Sequence, residues 1–215
     1  MRDLKKSVYF ISGIDTGVGK TVVTGLLAKQ LKEKGVNVIT QKLAQTGCSG
    51  IADDILEHRK IANMELQHVD LDFTTCPFIY DFPGSPHLSA ELEGKLIDIK
   101  KVTENTAKLL QQYDIVLLEG AGGLMVPISF NQLTINYIAS KKIPLILVTT
   151  PKLGSINHTL LSLEACLSRN IEVVALIYNE YLEEPSPISN DSRRVFKEYL
   201  AQNSPSTEFV EMDEL

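Results

Sequence analysis

Residues 13–21 read Gly-Ile-Asp-Thr-Gly-Val-Gly-Lys-Thr and stand between an apolar stretch and an amphipathic one. Residues 7–12 before them, SVYFIS, are β-branched and aromatic with no helical period, and predict a buried strand. Residues 21–34 after them set Val22, Leu26, Leu27 and Leu31 on one face and lysines on the other, a helix that Gly35 stops. A strand, a glycine-rich turn and then Lys-Thr at a helix start form a cradle for phosphate. The glycines let backbone N–H groups turn inward, and the helix N-terminus adds a partial positive charge. Lys20 is placed to reach the β- and γ-phosphates and the Thr21 hydroxyl to ligate Mg²⁺. Five residues separate Gly13 from Gly19, one more than in the common form of such a loop.

The rest of the chain repeats the alternation. Apolar runs at residues 36–41, 114–118, 143–149 and 172–178 read as further strands, with helices expected near 97–112, 133–141 and 155–169. Near-continuous apolar strands between amphipathic helices predict an α/β fold, a mostly parallel central sheet covered on both faces. The expected unit is one domain over residues 1–215. Residues 71–89, with Pro77, Pro83, Gly84 and Pro86, read as a long functional loop. Residues 183–215 are rich in Pro, Ser and Asn and then acidic, and are expected to be irregular apart from a helix over 192–201.

Charge and cysteine usage narrow the partners. The net charge of −6, from 27 acidic and 21 basic residues, opposes general binding to nucleic acid or an anionic membrane, which needs excess Lys and Arg. Cys48, Cys76 and Cys166 are far apart, as expected of reduced thiols in a cytoplasmic protein. No apolar run approaches the roughly 18–20 residues a bilayer requires, and no signal-peptide pattern opens the sequence. The four histidines lack metal-ligand spacing and are expected not to be ligands.

A second glycine cluster follows residues 114–118: Glu119, then Gly120-Ala121-Gly122-Gly123. Carboxyl ends of parallel strands line the ligand crevice, so a carboxylate there is suited to hold Mg²⁺ directly or through water. Its glycines allow close backbone approach to an anion.

Five motifs in order then resemble the dethiobiotin synthetase family: Gly13-x-Asp15-Thr16-x-Val18-Gly19-Lys20-Thr21; Lys42 with Thr46-Gly47; Ser85-Pro86-His87; Glu119-Gly-Ala-Gly-Gly123; and Lys152-Leu-Gly-Ser-Ile-Asn157-His158. They run from about Tyr9 to Asn179, and the extra loop residue is shared with that family. The resemblance implies a homodimeric P-loop NTPase-like ligase that uses ATP, Mg²⁺, CO₂ and 7,8-diaminononanoate to close the ureido ring of dethiobiotin. It implies catalytic roles for Lys42 and Lys20. It implies nucleotide binding by Gly17, Val18, Gly19, Lys20, Thr21, Val22, Asp53, Glu119, Gly120, Ala121, Gly122, Asn179 and Glu180. Thr46, Ser85, Gly122 and Asn157 are implied to contact the substrate, Asn157 having helix capping as its alternative. Thr21, Asp53 and Glu119 form the implied Mg²⁺ set. Asp53 is preferred to Asp54 by its distance to Arg59, Asp54 then serving the helix dipole.

The sequence departs from the family at Leu43, where many relatives carry proline and where a looser turn is expected. It departs at Gly17, where some have a bulkier residue. In the tail, the further strand and purine-contacting segment are not evident between residues 187 and 215. ATP is the expected nucleotide, with CTP or a relaxed preference left open. A partitioning or metal-delivery ATPase is the rival reading. Such proteins carry a lysine early in the loop, where this chain has Ile14 and Asp15. A GTP switch lacks support, since Asn179-Glu180 is no Asn-Lys-x-Asp motif.

Overall fold

The computed structural model describes residues 4–180 and 187–215. Its centre is a six-stranded sheet made of β1 (Ser7–Gly13), β2 (Val38–Lys42), β5 (Ile115–Gly123), β8 (Leu145–Thr149), β9 (Val173–Tyr178) and β10 (Glu208–Glu211). The strand order is β10-β9-β8-β1-β5-β2, and every neighbouring pair is parallel. The direction of winding reverses around β1, which sits inside the sheet, so a crevice opens at the carboxyl ends of β1, β5 and β2.

The apolar runs are strands buried on both sides, and alternate residues serve opposite faces. Tyr9, Ile11, Leu117, Ile146, Val148, Ala175 and Ile177 pack on one face under α1 (Lys20–Glu33). Phe10, Leu118, Leu145, Leu147, Leu176 and Tyr178 pack on the other. There they meet α5 (Ile99–Gln112), α6 (Thr134–Lys141), α7 (Ser155–Leu167) and α8 (Pro187–Asn203). The α/β class, the parallel sheet and the two helical layers agree with the sequence expectation.

Smaller elements build the rim of the crevice. They are β3 (Gln45–Thr46), α2 (Asp53–Ile61), α3 (His68–Leu71), β4 (Ile79–Tyr80), α4 (Pro86–Leu92) and the antiparallel pair β6 (Pro127–Ser129) and β7 (Gln132–Leu133). The expected long loop at 71–89 is therefore broken. β4 pairs in parallel with β3, and Pro86 opens α4, where its missing N–H costs nothing.

The tail corrects the sequence reading. Residues 187–215 are ordered elements: α8 runs well beyond the expected 192–201, and β10 adds the sixth strand beside β9. Residues 183–186 of the expected irregular segment lie outside the described residues. Phe196 is fully buried and meets the Tyr178 ring edge-on at 5.9 Å. The Tyr178 hydroxyl donates to the Ser189 carbonyl at 2.8 Å. One short strand and a polar composition hid this packing from a reading by periodicity.

Among the described residues no helix is long and apolar enough to cross a membrane. Burial pushes the thiols of Cys76 and Cys166 up to about 12, so neither ionises near neutrality.

If α8 and β10 belong to the core, Phe196→Ala destabilises the whole chain by about 3–5 kcal/mol. Urea denaturation followed by circular dichroism checks this. A midpoint equal to wild type would show the tail to be a separable appendage.

Candidate functional site

The crevice at the sheet's carboxyl end is a cleft of about 760 Å³. The loop between β1 and α1 forms its floor, and Lys42, Asp54, Ser85, Glu119 and Gly122 stand around it. Gly19 precedes α1 with φ of 91°, and Gly17 has φ of 75°, both in the left-handed region that glycine tolerates. A Cβ built on Gly19 would lie 2.3 Å from Asn179 Nδ2, so the loop turns against the end of β9 with no room to spare. Asn179 Nδ2 donates to the Val18 carbonyl at 2.9 Å, which pins the loop to that strand.

Lys20 is buried, and its Nζ donates to the Asp15 carbonyl at 2.9 Å. Burial, and next the Lys42 charge, lower its pKa to about 8, against the pull of Glu119, Asp54 and Asp15. Because the folded-state value lies below the unfolded one, charging Lys20 costs stability near neutrality. That cost disappears as pH rises through about 8 toward the unfolded value. Phosphate oxygens at the same place would offset it directly.

Lys42 and Glu119 are register partners on β2 and β5. Glu119 is fully buried, and its Oε1 accepts from Lys42 Nζ at 2.8 Å. Lys42 Nζ also donates to the Gly120 carbonyl at 3.0 Å and pairs with Asp54. Burial opposes both charges but their attraction wins. The Glu119 carboxyl is held well below the usual carboxylate range by Lys42 and His58, and Lys42 is held above the ordinary lysine value by Glu119 and Asp54.

Thr21 completes the group. Its hydroxyl lies 3.1 Å from Asp54 Oδ1 and 3.3 Å from Glu119 Oε1. A hydroxyl and two carboxylates converging on the phosphate loop supply oxygen donors only, the chemistry of a hard cation such as Mg²⁺. No group of three or more His, Cys, Asp or Glu is arranged for a metal among the described residues. A site of two carboxylates that relies on phosphate and water for its remaining positions has that character.

Asp54 takes the position expected of Asp53. Asp53 is exposed on the first turn of α2 and does not line the cleft, and its backbone and side chain interact with the Cys48 thiol. Rotation by one helical residue, about 100°, separates the two carboxylates. The one-residue choice from Arg59 fails for that reason. Arg59 is turned instead into a buried bidentate pair with Asp70, at 2.7 and 2.8 Å.

The other expected residues divide. Gly17, Gly19, Val22, Thr46, Ala121 and Gly122 line the cleft with the charged group. Ser85 lines it too, at the start of α4, with Oγ 3.1 Å from His87 Nδ1. Gly120 meets it through its carbonyl. Val18 and Asn179 back the loop and border a smaller cavity of about 200 Å³. Glu180 is 2.5 Å from Arg193 of α8, which also bonds Glu211 at 3.1 Å, so β9, α8 and β10 are tied together. Asn157 is exposed on the first turn of α7 and faces neither cavity, and the cap position belongs to Gly154, with no side-chain cap bond. Its capping alternative is thus excluded. Leu43 does not loosen its turn: its N–H donates to the Glu119 carbonyl at 2.9 Å, a bond that proline lacks.

One site residue was missed. His58 is fully buried, with Nε2 2.7 Å from Glu119 Oε2. The available signal was its position four residues after Asp54, on the same helical face.

The parallel sheet, the phosphate loop and the acidic strand end together define a P-loop nucleotide-binding protein of the α/β class. A family model described as an AAA domain matches residues 7–204. A protein of Pasteurella multocida (strain Pm70) named ATP-dependent dethiobiotin synthetase BioD 2 is 51% identical over 206 residues, covering 96% of this chain and 97% of that one. Its namesake from Haemophilus influenzae (strain ATCC 51907 / DSM 11121 / KW20 / Rd) is 57% identical over 176 residues, covering 82% and 92%. The chain belongs to the dethiobiotin synthetase family. Among solved structures, a ParA of pNOB8 bound to nonspecific DNA aligns with a TM-score of 0.56 at 16% identity, covering 94% of this chain and 78% of that one. That likeness is one of fold.

Gly19→Ala forces a side chain into the left-handed region, at about 1–2 kcal/mol, and against Asn179. Calorimetric titration with ATP is expected to show at least about tenfold weaker binding. Unchanged affinity would mean that the Gly19–Asn179 approach does not shape the loop.

Proposed function

We propose that this chain is an ATP-dependent dethiobiotin synthetase, joining 7,8-diaminononanoate and CO₂ to form the ureido ring of dethiobiotin in biotin synthesis. Identity of 50–57% to proteins of that name supports the reading. The observation that carries it is Lys42: a second buried ammonium, beside the phosphate loop, aimed into a cleft that also holds Lys20.

The chemistry needs two cations. One amine of the diamine attacks CO₂, loses a proton and becomes a carbamate. A carbamate oxygen then attacks the γ-phosphorus of ATP, expelling ADP and leaving a carbamic-phosphoric mixed anhydride. The second amine attacks the carbamoyl carbon, and inorganic phosphate departs as the ring closes. Lys42 holds the carbamate and the γ-phosphoryl group, and Lys20 the β- and γ-phosphates. The work is positioning and charge stabilisation in a site whose donors are already in place. Thr21, Asp54 and Glu119 are the residues that hold Mg²⁺, which when bound screens the phosphate charge. Thr46, Ser85 and Gly122 border the side of the cleft assigned to the diamine. Asn179 and Glu180 adjoin the place of the base, ATP being the nucleotide we assign.

We assign a homodimer as well. Asn157 faces out of its own subunit, with exposed Leu153 four residues before it and exposed Leu161 four after, so its substrate role requires a neighbouring copy. Sedimentation equilibrium is expected to give twice the chain mass of 23.8 kDa; a monomer at assay concentration removes Asn157 from the site. The free, buried cysteines and net charge of −6 suit a cytoplasmic enzyme acting on small molecules, with no nucleic-acid or membrane partner.

Purified protein given the diamine, bicarbonate, ATP and Mg²⁺ is expected to release phosphate and yield dethiobiotin by mass spectrometry. Lys42→Ala is expected to lower kcat about 10²–10³-fold while ATP still binds. ATP hydrolysis indifferent to the diamine would overturn the assignment in favour of a nucleotide switch.

A further inference from the structure

His58 has two ring nitrogens and two buried partners. Nε2 lies 2.7 Å from Glu119 Oε2, and Nδ1 lies 3.0 Å from Thr40 Oγ1. Glu119 fixes the outer bond: an ionised carboxylate only accepts, so the proton between the two groups belongs to Nε2. Thr40 Oγ1 accepts from Arg59 Nη1 at 2.7 Å and keeps one hydroxyl proton and one lone pair for the bond to Nδ1.

Arg59 in turn is fixed. Its Nε and Nη2 donate to the two oxygens of Asp70, at 2.8 and 2.7 Å, and Asp70 also accepts from the Thr75 hydroxyl at 2.8 Å and the Gln67 amide at 2.8 Å. A buried chain of hydrogen bonds therefore runs from Asp70 through Arg59, Thr40 and His58 to one oxygen of Glu119. The opposite oxygen, Oε1, is the one that meets Thr21 and Lys42.

We infer that His58 is a positioning residue for Glu119: by donating from Nε2 to Oε2 it fixes the carboxylate plane, leaving Oε1 aimed at the cation site beside Thr21 and Asp54. The inference rests on the reading of Glu119 as an Mg²⁺ ligand. The physical basis is general. A ligand carboxylate that is itself hydrogen-bonded needs no reorientation when the cation arrives, and loss of such a partner costs metal affinity about 10–100-fold. Asp54 and His58, four residues apart on α2, serve one site from one helical face, the first beside the cation position and the second behind its other carboxylate.

The test uses the full chain with ADP and measures Mn²⁺ binding by electron paramagnetic resonance. Activity against Mg²⁺ concentration is followed in parallel. His58→Leu removes the donor and is expected to weaken Mn²⁺ binding about tenfold or more, while ADP affinity in EDTA stays at the wild-type value. His58→Gln, whose amide N–H reaches the same oxygen, is expected to restore most of the loss. Thr40→Val, which frees Nδ1, is expected to fall between the two, and carries the comparison should His58→Leu not fold. Glu119→Gln is the control for the underlying reading. If Glu119→Gln loses Mn²⁺ while His58→Leu and Thr40→Val bind it like wild type, the role of His58 is overturned and the ligand reading stands. If Glu119→Gln also binds Mn²⁺ like wild type, the ligand reading itself fails. A purely structural histidine predicts that the Leu and Gln variants lose stability without changing the Mn²⁺ constant, and that outcome likewise overturns the inference.

Discussion

A carboxylate with no solvent exposure, Glu119, sits at the point where the sheet meets the cleft. An isolated charge there would not survive burial; it would take up a proton or unfold the strand end. Glu119 stays ionised because Lys42 and His58 face it from opposite sides. The pairing in turn requires the β2–β5 register, since Lys42 and Glu119 are direct neighbours across those strands. A slip of one residue would turn Lys42 to the other face of the sheet and leave two uncompensated buried charges. The ion pair therefore fixes register as much as it equips the site, and the Leu43 amide bond to the Glu119 carbonyl extends the same pairing by one step.

Lys20 and Lys42 show what the cleft lacks. Burial and the nearby Lys42 charge outweigh the pull of Glu119 and Asp54 on the Lys20 ammonium, whereas Lys42 is paired directly with both carboxylates. The imbalance is removed by anions placed over the loop. In the proposed reaction, phosphates of the nucleotide would satisfy Lys20, and a second anion beside the γ-phosphate would take the space toward Lys42. A carbamate is such an anion, formed only after the diamine has met CO₂.

Much of this was legible in the chain itself, for reasons that differ by element. Strands β1, β2, β5, β8 and β9 declared themselves because burial on both faces leaves nearly continuous apolar runs. The phosphate loop declared itself because glycine positions, lysine and hydroxyl each answer a separate demand. β10 did not: Glu208, Phe209, Val210 and Glu211 make a short mixed stretch whose strand character comes from β9 beside it and from α8 packing below. The sequence pointed to Asp53 where Asp54 faces the cleft, because the distance to Arg59 counts residues while the cleft selects a helical face. His58 shows no metal-ligand spacing because it bonds a carboxylate, and a contact 61 residues away along the chain leaves no local pattern.

Helix α2 brings Asp54 and His58 to the cleft that the sheet and loop leave open. The solved ParA structure shares the sheet at 16% identity, so the sheet and loop alone do not define a reaction. Here α2 lies close against α1: a Cβ on Gly25 would fall 2.8 Å from Ile61 Cβ, so glycine is what permits the approach. Thr21 and Gly25 are four residues apart on α1, one turn along the same face, and Asp54, His58 and Ile61 follow one face of α2. The close approach at Gly25–Ile61 is carried one turn back on α1 and two turns back on α2 to the Thr21–Asp54 contact at 3.1 Å. A glycine with no chemistry of its own thereby sets how near the second carboxylate comes to the phosphate loop, and the specialisation of this cleft begins with that spacing.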